Sequence, residues 1–222
     1  MHIPDGYLGP ATYGALYVIM VPLWAIAVRV TNRTLAAAQV PVLALGAAFS
    51  FVIMMFNIPI PGGSTGHAAG AVLVAILVGP WAALIALTVS LVVQALVFGD
   101  GGITAIGANC LNMAFIMPFS GYFVYRLIGL RSPASAWRRA FAAGIGSYVG
   151  LNMAALATAI EFGVQPLLYH TADGRALYCP YGLNVTIPVM MAGHLLLFGV
   201  VEGLITFLVI RYIQHQDASL IH

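Results

Sequence analysis

An all-α integral membrane protein of seven transmembrane helices, with its N-terminus outside and its C-terminus cytoplasmic, is the fold that three features of the sequence predict. Hydrophobic residues make up 62% of the chain and charged residues only 6%, and the mean hydropathy is +1.00, far from the composition of a water-soluble domain. The apolar residues cluster in runs close to the roughly 20 residues that a helix needs to cross a bilayer core. With the N-terminus outside, all of the arginines but Arg175 fall on the cytoplasmic side, and an even number of spans breaks that pattern.

The first run, 11–30, has no basic stretch or cleavable leader before it, and Arg29 and Arg33 follow it on the inner side. The second, 39–56, returns to an outward loop, 57–66, that leads straight into His67. Pro59 and Pro61 stiffen this loop, and Gly62, Gly63 and Gly66 permit turns that aim His67 into a cavity rather than at lipid. The third run, 67–79, is short and ends at Gly79-Pro80, where proline separates one descent from the next ascent. The fourth, 81–98, leads to the outward loop 99–104. The fifth and sixth, 105–128 and 140–162, are joined by an inner segment that holds Arg126, Arg131, Arg138 and Arg139. The long outward loop 163–187 precedes the seventh run, 188–212, which Arg211 closes before a short polar tail. There is no internal repeat or linker, so residues 1–222 read as one domain, with 1–10 as an outer clamp segment.

Composition also removes function classes. The net charge of +2 is spread over membrane flanks and forms no basic face for nucleic acid. Lysine is absent, so the chain has neither the phosphate-loop lysine of an ATPase nor a lysine for a retinal Schiff base. Energy for transport must come from an ion gradient or from a partner chain. Cys110, in an apolar run, and Cys179, in a polar loop, have no disulfide or zinc spacing and read as structural.

The chemistry-bearing feature is Met1-His2-Ile3-Pro4-Asp5-Gly6. With a free amine at Met1, three nitrogens lie within two residues: that amine, the His2 amide and the nearer imidazole nitrogen. Closing a metal on them makes fused five- and six-membered rings at little cost in chain entropy. It leaves the fourth corner of a plane open. Strong in-plane nitrogen donors suit Ni(II), Cu(II) or low-spin Co(II), and suit Mg(II) or Ca(II) badly. His67, at the outer end of the third run, lies on the same side of the membrane and supplies the fourth nitrogen.

Asn109 and Asn112, three apart on one helical face, suit either orienting these donors or bonding across helices without function. Ser64 and Asp5 are further candidates to orient the site. Asp5 and Asp100 also raise the local cation concentration weakly. His194 and Glu202, in the seventh run, suit helix packing or a relay. Glu161 lies where it can reach water, and His170, His215 and His222 read as exposed. Ala142, Ala143, Gly144, Gly146 and Gly150 make a small-residue face that fits either a neighbouring helix or a partner subunit.

At these positions the chain resembles the CbiM/NikM family, the substrate-capture (S) components of energy-coupling-factor transporters for cobalt and nickel. The stretches that carry the resemblance are the N-terminal hexapeptide, Ser64-Thr65-Gly66-His67, residues 99–104, Gly107-Ala108-Asn109 with Asn112-Met113-Ala114, Gly193-His194 and Glu202-Gly203. They run from the terminus to the last helix, and the terminal motif is the most specific. The resemblance implies an S-component bundle in a bacterial inner membrane, with Co2+ or Ni2+ held by the Met1 amine, the His2 amide and imidazole, and His67. It further implies a membrane T component, two ATP-binding cassette subunits, a small accessory membrane protein, and cobalt uptake for cobalamin synthesis ahead of nickel. No catalytic cofactor and no enzymatic activity are expected.

Two other readings compete. One is a self-sufficient proton-coupled metal permease with His194 and Glu202 as its relay. The other, an intramembrane metallopeptidase, lacks a His-Glu-x-x-His helix and an open position for catalytic water.

Overall fold

Proline and glycine punctuate the chain where its helices begin and turn. In the computed structural model, which describes residues 1–61, 64–129 and 132–221, α1 (Pro10–Thr34) and α4 (Pro80–Phe98) both start on a proline, whose missing N–H costs nothing in a first helical turn. Between them lie α2 (Val40–Met54), a hairpin of β1 (Ile58–Ile60) and β2 (Ser64–Gly66), and α3 (Ala71–Val78). The chain continues with α5 (106–129), α6 (Trp137–Gly163), a short turn Gln165–Leu168, and α7 (Leu183–Gln216).

Counted with their π turns, these are seven helical segments among the described residues, and the molecule is an all-α membrane protein apart from the one hairpin. Five are long and apolar enough to cross a membrane: Pro10–Thr34, Ala37–Met54, Pro80–Phe98, Trp137–Leu168 and Leu183–Gln216. α5 has the length, about 36 Å at the helical rise, but spends part of its first turns on Asn109 and Asn112. Valines and leucines such as Val18, Leu45, Val97 and Leu196 cover the outside, each at least 70% exposed.

The third segment departs most from expectation. Instead of a helix over 67–79, Ser64–Gly66 pairs antiparallel with Ile58–Ile60, residues 67–70 are not helical, and α3 holds only eight residues. At about 12 Å it is too short to cross a bilayer core. Pro59 and Pro61 and the left-handed Gly70 (φ +69°) keep a longer helix from forming. Irregular backbone at this depth is tolerated because it is enclosed by protein: residues 66–76 are all buried. α3 is thus the central helix of the bundle. α7 begins five residues earlier than its apolar run and passes through Pro188. The turn-forming role read for Gly62 and Gly63, and the readings of Arg131 and His222, fall outside the described residues.

The small-residue face of α6 is used inside the chain. A Cβ on Gly146 would sit 2.5 Å from the Gly121 carbonyl oxygen, one on Gly150 2.6 Å from that of Met117, and one on Gly203 2.8 Å from that of Gly144. α5, α6 and α7 therefore pack backbone against backbone. Alternation of the helices puts Met1, the hairpin and the loops 99–104 and 164–182 at one end of the bundle. Arg29, Arg33, Arg126, Arg138, Arg139 and Arg211 lie toward the other.

Candidate metal centre

The first residues are docked rather than frayed. Met1 and Ile3 are 0% exposed and His2 4%, against the usual looseness of a terminus. Asn109 on α5 clamps them, accepting the Ile3 N–H (2.8 Å) and donating to the Ile3 carbonyl (3.2 Å), while Gly102 N–H donates to that same carbonyl (2.8 Å). Asp5 accepts from the Ile103 and Thr104 amides (3.1 and 2.9 Å) and the Thr104 hydroxyl, which ties the segment to the loop 99–104. Gly101, at φ +92°, lets that loop lie over His2: a Cβ there would be 3.4 Å from His2 Cδ2.

Three sets of nitrogen lone pairs converge. The Met1 amine donates to the Thr65 carbonyl and lies 3.3 Å from Thr65 Oγ1, so Thr65 can take both hydrogens of a neutral amine and leave its lone pair free. His2 Nε2 is 3.2 Å from Gln94 Oε1; in the tautomer with its hydrogen on Nε2, Gln94 accepts that hydrogen and the lone pair falls on Nδ1, the nitrogen that the chelate requires. His67 Nδ1 donates to its neighbour Ala68's carbonyl (3.0 Å), which leaves the lone pair on Nε2. Both lone-pair atoms, His2 Nδ1 and His67 Nε2, are buried without a hydrogen bond. The two rings stack, centroids 4.7 Å apart and planes inclined by 27°.

The electrostatics favour neutral donors. Burial pushes the Met1 amine down from 8.0 to about 4, against an opposing pull from Asp100. Burial, with the adjacent amine, pushes His2 down from 6.5 to about 4. Asp100 faces the donors, its Oδ1 3.5 Å from His2 Nδ1, and Asn57 holds its other oxygen (2.9 Å). No group of three His, Cys, Asp or Glu side chains suited to a metal exists among the described residues.

The other residues singled out by sequence divide. Asn109 and Asp5 hydrogen-bond the terminal segment and its neighbouring loop. Asn112 does not reach it: its Nδ2 donates to Thr158 Oγ1 (3.1 Å) and Glu161 Oε2 (2.8 Å). Glu161 is accordingly engaged inside the bundle and not left to water. Ser64 is buried on β2 with its hydroxyl unbonded, and lines a small cavity with Phe162, Cys179 and Thr186. Both cysteines are free and buried. His194 donates to the Met190 carbonyl (2.7 Å), and Glu202 accepts from the Ala69 and Gly70 amides, so neither hydrogen-bonds to the other. Sequence reasoning missed Gln94 and Thr65. Gln94 had a signal, a lone amide inside an apolar run; Thr65 sat inside a motif that drew attention to its neighbours.

Three helices open into π turns beside the site. Gln94–Phe98 starts with the partner of His2, Cys110–Ile116 follows Asn109, and His194–Phe198 packs its last ring against Gly66. Such insertions concentrate at functional positions, because they re-aim one side chain without breaking the helix.

These features define a polytopic helical membrane protein with buried nitrogen donors gathered at one end. Residues 2–220 match the family model of the cobalt uptake substrate-specific transmembrane region, and the chain belongs to that family, CbiM. It is 53% identical over 217 residues to a probable fused nickel transport protein, LarMN, of Lactiplantibacillus plantarum, and 51% identical over 222 residues to the fused nickel transport protein NikMN of Rhodobacter capsulatus. The matches cover 96% and 100% of this chain but 64% of each relative, so the chain spans a little under two thirds of their length. A cobalt transport protein, CbiM, of Acetohalobium arabaticum is 30% identical over 99% of the chain and 84% of its own length. A crystal structure of a truncated transition metal transporter superposes with a TM-score of 0.93 at 54% identity, covering 97% of this chain and 99% of that one.

Proposed function

We propose that the chain captures Co2+ or Ni2+ from outside the cell through four nitrogens: the Met1 amine, the His2 amide and Nδ1, and His67 Nε2. The observation that carries this reading is the pair of buried, unbonded lone-pair atoms, His2 Nδ1 and His67 Nε2, on stacked rings beside a buried amine. Each is an orphaned polar atom that costs stability unless a ligand meets it. Gln94, Ala68 and Thr65 set the tautomers and the amine hydrogens so that all three lone pairs are ready. Only the His2 amide must lose a proton to the ion. A divalent cation, that amidate and Asp100 then sum to zero charge, as a buried site requires.

The chain acts as the substrate-binding component of an ATP-driven importer of the energy-coupling-factor type in a bacterial inner membrane. Its N-terminus lies outside, with the arginine-rich end cytoplasmic. By the family resemblance a membrane T component and two ATP-binding cassette subunits supply the energy, and the lack of a lysine for a phosphate loop agrees with ATP being hydrolysed elsewhere. A small accessory membrane protein is a further partner that the resemblance implies, and two relatives are named as fused proteins, of which this chain spans 64%. The family description and one relative's name give cobalt and the two fused relatives' names nickel, and four in-plane nitrogens accept both. Where cobalt is the cargo, cobalamin synthesis is its destination. A permease driven by protons alone is less well supported, since no hydrogen bond joins His194 to Glu202: His194 Nδ1 and the Glu202 carboxylate bond backbone groups, and His194 Nε2 is buried without a hydrogen-bond partner.

Titration of the purified chain with Ni2+ and Co2+, followed by absorption spectroscopy, tests the reading. One ion per chain with a planar Ni2+ spectrum supports it; no binding, or an octahedral oxygen-rich spectrum, overturns it.

A further inference from the structure

Glu202 is a carboxylate in the interior of a membrane bundle, 1% exposed, and among the described residues it forms no ion pair with an arginine. Its partners are backbone amides: Ala69 N–H donates to Oε2 (2.7 Å), and Gly70 N–H is shared between Oε1 and Oε2 (3.0 and 3.1 Å). Gly70 is left-handed and caps α3, so successive amides and the first turn of α3 form a concave, partly positive seat. A Cβ on Gly70 would also lie 2.7 Å from the Phe49 ring, which leaves the seat no room for another residue type.

This seat is two residues beyond His67. On its other side, His67 is two residues from Thr65, which the Met1 amine holds. The fourth donor thus hangs between two anchors, one made by the capture site itself and the other by α7. We infer that Glu202 is a positioning residue for metal capture: by gripping the Ala69 and Gly70 amides it holds His67 Nε2 in the donor plane, and it ties that donor to α7. This inference rests on His67 being a ligand. The carboxylate suits the seat because the Gly70 N–H lies within reach of both its oxygens; a carboxamide could keep its one oxygen on the Ala69 amide but would set its NH2 against the Gly70 N–H.

The test uses the full chain in detergent, titrated with Ni2+ and read by affinity and by ligand-field absorption. Glu202→Gln is expected to bind Ni2+ about tenfold more weakly or worse, the scale of losing an orienting contact. Its spectrum should move toward that of His67→Ala, and it should add little further loss in the His67→Ala background. Glu202→Asp keeps the charge but not the reach, and should fall between wild type and Glu202→Gln; it carries the test if Glu202→Gln does not fold. Wild-type affinity and spectrum in folded Glu202→Gln or Glu202→Asp, or losses that simply add to those of His67→Ala, would overturn the inference while leaving capture by His67 intact. Failure of wild type to bind Ni2+ would instead remove the capture reading, and this one with it.

Discussion

His2 and His67 come from positions 65 residues apart and stack with ring centroids 4.7 Å apart, each with one ring nitrogen turned to a hydrogen-bond partner and the other left unbonded in a buried space. Two imidazoles set side by side with these nitrogens buried beside the terminal amine and the Asp100 carboxylate are suited to sharing one ion. His67→Ala removes one of four donors from an otherwise intact seat. It is expected to lose most Ni2+ affinity, a hundredfold or so by analogy with lost metal contacts, with thermal stability nearly unchanged. Wild-type affinity in a folded His67→Ala protein removes His67 from the site.

Gln94→Leu keeps roughly the volume of the side chain but deletes the acceptor for His2 Nε2–H. The imidazole is then free to turn or to change tautomer. Ni2+ affinity is expected to fall about tenfold, with the ligand set unchanged. Binding measured by calorimetry on wild type and variant checks this, and equal affinities would show that Gln94 only packs.

Acid should loosen the metal-free terminal segment. The Met1 amine and His2 are lowered by burial to about 4, from 8.0 and 6.5. In the unfolded or undocked chain they take protons below those ordinary values, whereas in the docked state they do not until about 4. Docking is therefore at full strength above pH 8 and weakens as pH falls from 8 toward 4. Protease cleavage within residues 1–9 of metal-free protein should quicken from pH 8 to pH 5, after correction for the protease's own pH profile. A rate that is flat or that falls would contradict the assigned burial.

The orientation predicts opposite labelling at two positions. Ser135→Cys, in the arginine-rich connection before α6, should be shielded from a membrane-impermeant thiol reagent on intact cells, and Ala172→Cys, in the loop before α7, should react. Native Cys110 and Cys179 are buried and give a low background. The reverse pattern would invert the protein.

The helices were legible because lipid enforces long apolar runs, and the break at Gly79-Pro80 was legible because only proline and glycine make it cheaply. The hairpin at 58–66 was not. Pairs of three-residue strands carry almost no periodic signal, and protein contacts permit this irregular backbone at membrane depth. In the site, Met1, His2 and His67 could be proposed from chelate geometry and membrane side. Asn109 and Asn112 share a helical face, yet only Asn109 reaches the terminus. Which of two asparagines points at a neighbour depends on the π turn that begins between them, and sequence does not show where such a turn opens.

The central claim is that the terminal amine is itself a donor. One residue added before Met1 turns that amine into an amide and moves the chelate ring, while both imidazoles remain. Ni2+ affinity of this one-residue extension should fall about as far as that of His2→Ala, while a tag at the C-terminus should leave it unchanged. Equal affinity in the extended and the C-terminally tagged proteins would mean that the Met1 amine is not a ligand.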